Sequence, residues 1–197
     1  MTTSLNVLGL CGSLRQASYN LAALRAAQAL APGAGMQIDI ADISDLPPYN
    51  EDVYAQGFPA PVERLRNQIR AADALLFVTP EYNYSMPGVL KNAIDWASRP
   101  PEQPFAGKPA AIMGASPGAL GSARAQYHLR QTLVFLDVHP LNKPEVMIGA
   151  AHERFDAQGQ LIHEPTREFI GKLLAALAAW TQRLAQPQPR HAERRHE

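Results

Sequence analysis

Serine, arginine and asparagine gather between residues 12 and 20, in a stretch reading GSLRQASYN that directly follows the apolar run LNVLGLC. Ser13, Ser18 and Asn20 are short donors and Arg15 is a forked cation, a set suited to holding an anion. A strand giving way to a helix here would add unpaired backbone N–H groups and the positive end of the helix dipole. Ordinary helix capping, with Ser18 as the N-cap and Arg15 in solvent, accounts for the same residues. On this stretch alone both readings stand. It has neither the Gly-Lys-Ser/Thr of a P-loop nor the GxGxxG of a dinucleotide turn, so it favours a terminal monophosphate over a pyrophosphate.

Two further stretches carry residues of chemical interest. TPEYNYSMPG spans residues 79 to 88 and is bounded by Pro80 and Gly88. Tyr82 and Tyr84 offer aromatic faces, and Glu81, Asn83 and Ser85 add polar groups. That combination suits a flat heteroaromatic ring, with faces to stack on and partners for its edge. A proline-bounded turn with locally packed tyrosines is the plainer account. The third stretch, GASPGALGSAR at 114 to 124, is rich in small residues that let a ligand approach the backbone. Its Gly114-Ala115-Ser116-Pro117-Gly118 matches the GxSxG nucleophile elbow of serine hydrolases, with histidines downstream at 128, 139, 152 and 163. Pro117 argues against that chemistry. The oxyanion hole needs the N–H after the nucleophile, proline has none, and losing such a donor costs about a hundred- to a thousandfold in rate.

These stretches need elements to position them. Apolar, β-rich runs occur at 6–11, 36–41, 74–79, 109–115 and 146–150, and helical patterns at 18–30, 61–71, 87–98, 120–135 and 165–184. In the third helix Val89, Leu90, Ala93, Ile94 and Ala97 share one side, as amphipathic packing requires. Nearly continuous apolar strands alternating with helices predict an α/β fold: a flavodoxin-like, doubly wound, five-stranded parallel sheet with helices on both faces. Residues 1–185 form one domain on this reading, and the proline-punctuated, charged tail at 186–197 is expected to be disordered. Such sheets bind ligands beyond the carboxyl ends of their strands, where all three stretches fall. A phosphate socket, an aromatic-lined ring site and a Gly/Ser wall on one edge fit FMN, with its single phosphate and its isoalloxazine ring.

Bulk properties narrow the classes of function. The 197 residues carry 18 basic and 18 acidic side chains, so no basic excess exists to neutralise nucleic-acid phosphates. No run approaches the roughly 18 apolar residues of a membrane span, and the first residues lack a signal-peptide pattern. Cys11 is the single cysteine and reads as a small apolar strand-end residue, in keeping with a cytoplasmic setting. No His, Cys or carboxylate cluster has metal-ligand spacing, and His191 and His196 read as part of a solvated tail.

GSLRQASYN, PEYNYSMPGVLKNAIDW and GALGSARAQYHLRQTL resemble the three signatures of the NADPH-dependent FMN reductase family, which includes bacterial quinone, chromate and azo reductases. LPPYNED at 46 to 52 resembles a weaker fourth, and the similarity runs from about Leu5 to Ile148. The resemblance implies a flavodoxin-like fold, noncovalent FMN, and a homodimer or homotetramer with the flavin near a subunit interface. It assigns the phosphate to Ser13, Arg15, Ser18 and Asn20. It assigns the ring to Pro80, Glu81, Tyr82, Asn83 and Tyr84, with Ser116 and Gly118 at its other edge. Family members often have Gly-Gly before the arginine of the third signature. Gly121-Ser122 stands here instead, and the added hydroxymethyl group is expected to narrow the acceptor pocket.

Hydride transfer from NADPH or NADH to the flavin needs no side-chain nucleophile or acid/base pair, because the cofactor carries the hard step. No catalytic side chain is therefore assigned, and His128 reads as a surface or interface residue. The small-molecule acceptor is left open among quinones, azo compounds, chromate and free flavin. A flavodoxin-type electron carrier is the competing reading, and the neutral composition speaks against it.

Overall fold

A computed structural model describes residues 4–186. The strands are β1 (Leu5–Cys11), β2 (Met36–Ile40), β3 (Ala74–Val78), β4 (Pro109–Ala115), β5 (His139–Pro140) and β6 (Val146–Ile148). The helices are α1 (Tyr19–Leu30), α2 (Glu51–Tyr54), α3 (Ala60–Ala71), α4 (Gly88–Ala97), α5 (Ala123–Phe135) and α6 (Glu164–Ala185). All ladders are parallel, and the order runs β2-β1-β3-β4 before reaching β5 and β6.

β3 and β4 are buried at every residue, as helices on both faces demand, whereas the edge strand β2 alternates. Val7, Leu76 and Met113 pack beneath α1 and α6 with Leu24, Leu173 and Leu177. Leu8, Leu10, Phe77 and Ile112 face the opposite way, against Leu65 and Ile69 of α3, Leu90 and Ile94 of α4, and Leu129 and Leu133 of α5. This is the doubly wound arrangement expected of a flavodoxin-like sheet.

The fifth strand position differs from expectation in being split. β5 pairs with the start of β4 (Pro109 with His139) and β6 with its end (Met113 with Val146), and 142–145 connect them after Leu141 N donates to Ala110 O at 2.8 Å. The single-turn α2, capped by Asn50 at the Asp52 N–H, was not among the expected helices. α5 begins at Ala123 rather than Leu120, because Gly121 and Ser122 hold left-handed φ values of 54° and 69° that no helix admits. The tail anticipated at 186–197, with His191 and His196, lies outside the described residues from 187 onward. No helix among the described residues is long and apolar enough to cross a membrane, and no group of three or more His, Cys, Asp or Glu there could hold a metal ion.

Candidate functional site

β1, β3 and β4 end abreast, and the stretches 12–18, 79–87 and 116–122 leave from that edge. Gly12 N–H donates to Val78 O at 2.8 Å, which carries the β1–β3 ladder one residue past the strand. A Cβ at Gly12 would lie 3.2 Å from Thr79 Oγ1 and 3.3 Å from Pro80, so glycine lets the first two loops stand in contact.

The first loop is a row of free donors. Backbone N–H groups from Ser13 through Ala17 find no acceptor among the described residues. Ser18 Oγ caps α1, accepting from Asn20 N at 3.2 Å and Leu21 N at 3.3 Å, which leaves its own O–H to donate. Arg15 is exposed, its guanidinium 5.9 Å from the Tyr19 ring centroid. Asn20 is committed elsewhere. Its buried amide donates to Ala115 O at 3.0 Å and accepts from Ala115 N at 2.8 Å, tying α1 to the end of β4. Cys11 is buried, its Sγ 3.6 Å from Ser13 O, and burial pushes its thiol pKa up, which keeps it protonated and unreactive.

In the second loop the side chains bind one another. Tyr82 and Ser85 exchange backbone hydrogen bonds at 3.0 Å around Asn83 and Tyr84, whose φ values are 49° and 66°. Asparagine tolerates that left-handed region and tyrosine does so at a cost. The turn pushes Tyr82 and Tyr84 out, 56% and 66% exposed. Glu81 points the other way, its side chain 8% exposed. Glu81 Oε2 accepts from the N–H groups of Arg124 at 3.0 Å and Ala125 at 3.3 Å, capping α5 where Ser122 makes no side-chain cap. The Arg124 guanidinium pairs with Glu81 Oε1 and lies over the Tyr84 ring, 3.7 Å from its centroid. Ser85 Oγ meets His128 Nδ1 at 3.1 Å. Farther along the same signature, Asn92 and Trp96 both donate to Pro47 O, at 2.9 and 2.8 Å, strapping the LPPYN segment to α4.

The third loop is rooted by close packing. A Cβ at Gly114 would fall 2.0 Å from Ser122 Oγ and 2.2 Å from Thr79 O. Ser122 is 1% exposed, and its Oγ accepts from Gln126 Nε2 at 3.3 Å. The expectation that Ser122 narrows the acceptor pocket is therefore corrected: its left-handed backbone turns the hydroxymethyl group inward beneath β4. Ser116 Oγ accepts from Gly118 N at 3.1 Å. A nucleophile elbow would instead need a histidine base, but His128 pairs with Ser85, and Pro117 has no N–H to give.

Sequence reading gave no site role to Arg124, Gly12 or Gly114. The arginine opens a helix that has no acidic residue in its first turn, which is a signal for a carboxylate supplied from another segment. For the glycines, one at each strand end was the available hint.

The donor set fits the phosphate of FMN. Free N–H groups, the hydroxyls of Ser13 and Ser18 and one guanidinium line the first loop, and no carboxylate lies between Gly12 and Asn20. Next to it stand the two exposed tyrosine rings and the N–H groups of Glu81, Asn83 and Tyr84, which find no acceptor among the described residues.

The chain resembles known proteins along most of its length. The sequence profile of the family described as NADPH-dependent FMN reductase matches residues 5–153. The chain is 70% identical to an NAD(P)H-dependent FMN reductase of Pseudomonas aeruginosa over 184 residues, 93% of this chain and 99% of that one. It is 49% identical to a quinone reductase of Escherichia coli over 187 residues, with the same coverage of 93% and 99%. Among solved structures it resembles FerB, a flavoenzyme NAD(P)H:(acceptor) oxidoreductase from Paracoccus denitrificans. The TM-score is 0.83 at 39% identity, over 91% of this chain and 98% of that one.

Proposed function

The chain belongs to the NADPH-dependent FMN reductase family, and from that premise we propose that it passes electrons to small quinone-class acceptors as a cytoplasmic homodimer or homotetramer. That it is an NAD(P)H-dependent oxidoreductase working with FMN follows from the family itself. The observation that carries the reading is the pairing of a free-donor loop with an aromatic turn on the carboxyl edge of the sheet.

When bound, FMN supplies the hydride-accepting and electron-donating chemistry at N5 of its ring. The residues of this chain bind and orient. Backbone N–H groups from Ser13 to Ala17, the Ser18 hydroxyl and Arg15 hold the phosphate, a dianion that such donors bind strongly at a helix N-terminus. Asn20 contributes by locking α1 to β4, so that this cradle keeps its distance from the third loop. Pro80, Tyr82 and Tyr84, with the N–H groups of Glu81 and Asn83, border the ring, and the Glu81–Arg124 pair stiffens them from behind. Ser116 and Gly118 border the other edge, where small side chains leave room for a planar acceptor. No residue is asked to move a proton.

Self-association is supported by α5, where Tyr127, Val134 and Phe135 stand exposed and Phe135 reaches 87%. The test of the reading is a visible spectrum of the protein purified without added flavin, then NADPH under anaerobic conditions, then a quinone. Yellow colour that bleaches with NADPH and returns with quinone, in the absence of any partner protein, is the expected result. A protein that neither carries nor takes up FMN would overturn it.

A further inference from the structure

A cleft of about 520 Å³ opens between β6 and the first turns of α6, with Ala119 of the third loop at its rim. Its wall is hydrogen-bonded into that loop. Ser116 N donates to Ile148 O at 3.0 Å, Ala150 N to Gly118 O at 3.2 Å and Ala151 N to Ser116 O at 3.1 Å. The cleft therefore begins where the small-residue edge of the flavin site ends.

Two cationic or donor side chains converge on it. Phe155 and Leu161 pair across a short antiparallel hairpin, and Ile162 N donates to Arg154 O at 2.9 Å. Arg154 and His163 are thereby set at the two feet of one hairpin, and both line the cleft. The Arg154 guanidinium has no hydrogen bond or ion pair with any described residue. His163 Nδ1 caps α6, accepting from Thr166 N at 3.3 Å and meeting Thr166 Oγ1 at 2.8 Å, which leaves Nε2 to carry a ring N–H with no partner among the described residues. Phe169, 45% exposed on the same helix, and Met147 on the strand supply an apolar surface beside them. Glu145, also in the lining, accepts from the Tyr127 hydroxyl at 2.8 Å.

An unpaired guanidinium and a ring N–H next to an aromatic platform recognise a base attached to a phosphorylated sugar. We infer that this cleft takes the adenosine 2′-phosphate end of NADPH, with Arg154 and His163 on the phosphate and Phe169 against the base. The inference rests on the oxidoreductase reading above and deepens it by naming what separates NADPH from NADH, which differ by that phosphate alone.

The test uses the FMN-loaded protein. Calorimetric binding of adenosine 2′,5′-bisphosphate is compared with that of adenosine 5′-monophosphate. In parallel, KM is measured for NADPH and NADH with a quinone acceptor. The bisphosphate is expected to bind more tightly by about ten- to a hundredfold, the range for charge-assisted hydrogen bonds. Arg154→Ala should abolish that preference and raise the ratio of NADPH to NADH KM by a similar factor, and Arg154→Lys should restore part of both. Equal binding of the two nucleotides by the unaltered protein overturns the inference, whether or not the variants fold. So does an unchanged KM ratio in a folded variant, and in either case the oxidoreductase reading stands. If the loaded protein oxidises neither NADPH nor NADH, both fail together.

Discussion

Between Ser13 and Ala17 the backbone donors meet no acceptor among the described residues, whereas in the turn at 81–85 Tyr82 and Ser85 pair through their backbones and the Glu81 and Ser85 side chains bind α5. The two loops stand in contact at Gly12 and Pro80, so the contrast arises from what each is shaped to meet. An anion is held by donors with no internal acceptor, and the cost of leaving them open is recovered when the anion arrives. A ring is held by a wall that does not yield. There the left-handed turn at Tyr84 is maintained by the Arg124 guanidinium over the ring and by Glu81 behind it.

The strongest way to break the contrast is at the common root. Gly114→Ala places a Cβ 2.0 Å from Ser122 Oγ and 2.2 Å from a Thr79 carbonyl oxygen that cannot retreat. Overpacking of this severity is expected to cost about 3 kcal/mol or more, read as a large fall in the thermal midpoint of the flavin-free protein. A midpoint unchanged from the parent would mean the second and third loops are not packed on one another.

Glu81→Gln sharpens the contrast from the ring side. The isosteric amide loses its charge against Arg124 and one acceptor of the α5 cap, a loss of about 1–3 kcal/mol for a charged, half-buried pair. Because the turn borders the ring, riboflavin and FMN should lose affinity by the same factor in a fluorescence titration. Loss of FMN affinity alone would show that Glu81 serves the phosphate end. Arg15→Ala makes the complementary cut and carries the smallest effect. Arg15 is exposed, so about a tenfold loss of FMN affinity is expected, with riboflavin binding as before. Equal losses for the two flavins would move Arg15 out of the phosphate cradle.

Much of this was legible in the chain itself. Apolar runs and helical spacing located every strand end that bears a loop, because burial on both faces of a parallel sheet leaves an uninterrupted local pattern. Ser18 reads as an N-cap from its neighbours alone, and Pro117 rules out a nucleophile elbow through the absence of its own N–H. What escaped involves pairs far apart in sequence. Asn20 meets Ala115 across 95 residues, and Glu81 meets Arg124 across 43. No local periodicity encodes such a partner. Ser122 is the sharpest case: as a residue type it suggested a group protruding into the pocket, and its φ of 69° turned that group inward.

The fifth strand position divides along the same line. The apolar run at Val146–Ile148 is visible in the sequence, but the pairing of His139–Pro140 with the start of β4 depends on where β4 lies. By itself, then, the sequence determined the first four strands, the five longer helices and the three loops at the carboxyl edge, because those follow from local apolar patterning and turn chemistry. Only the tertiary structure decided which donors in those loops remain free for a ligand. A donor's freedom depends on whether some distant residue has already taken it.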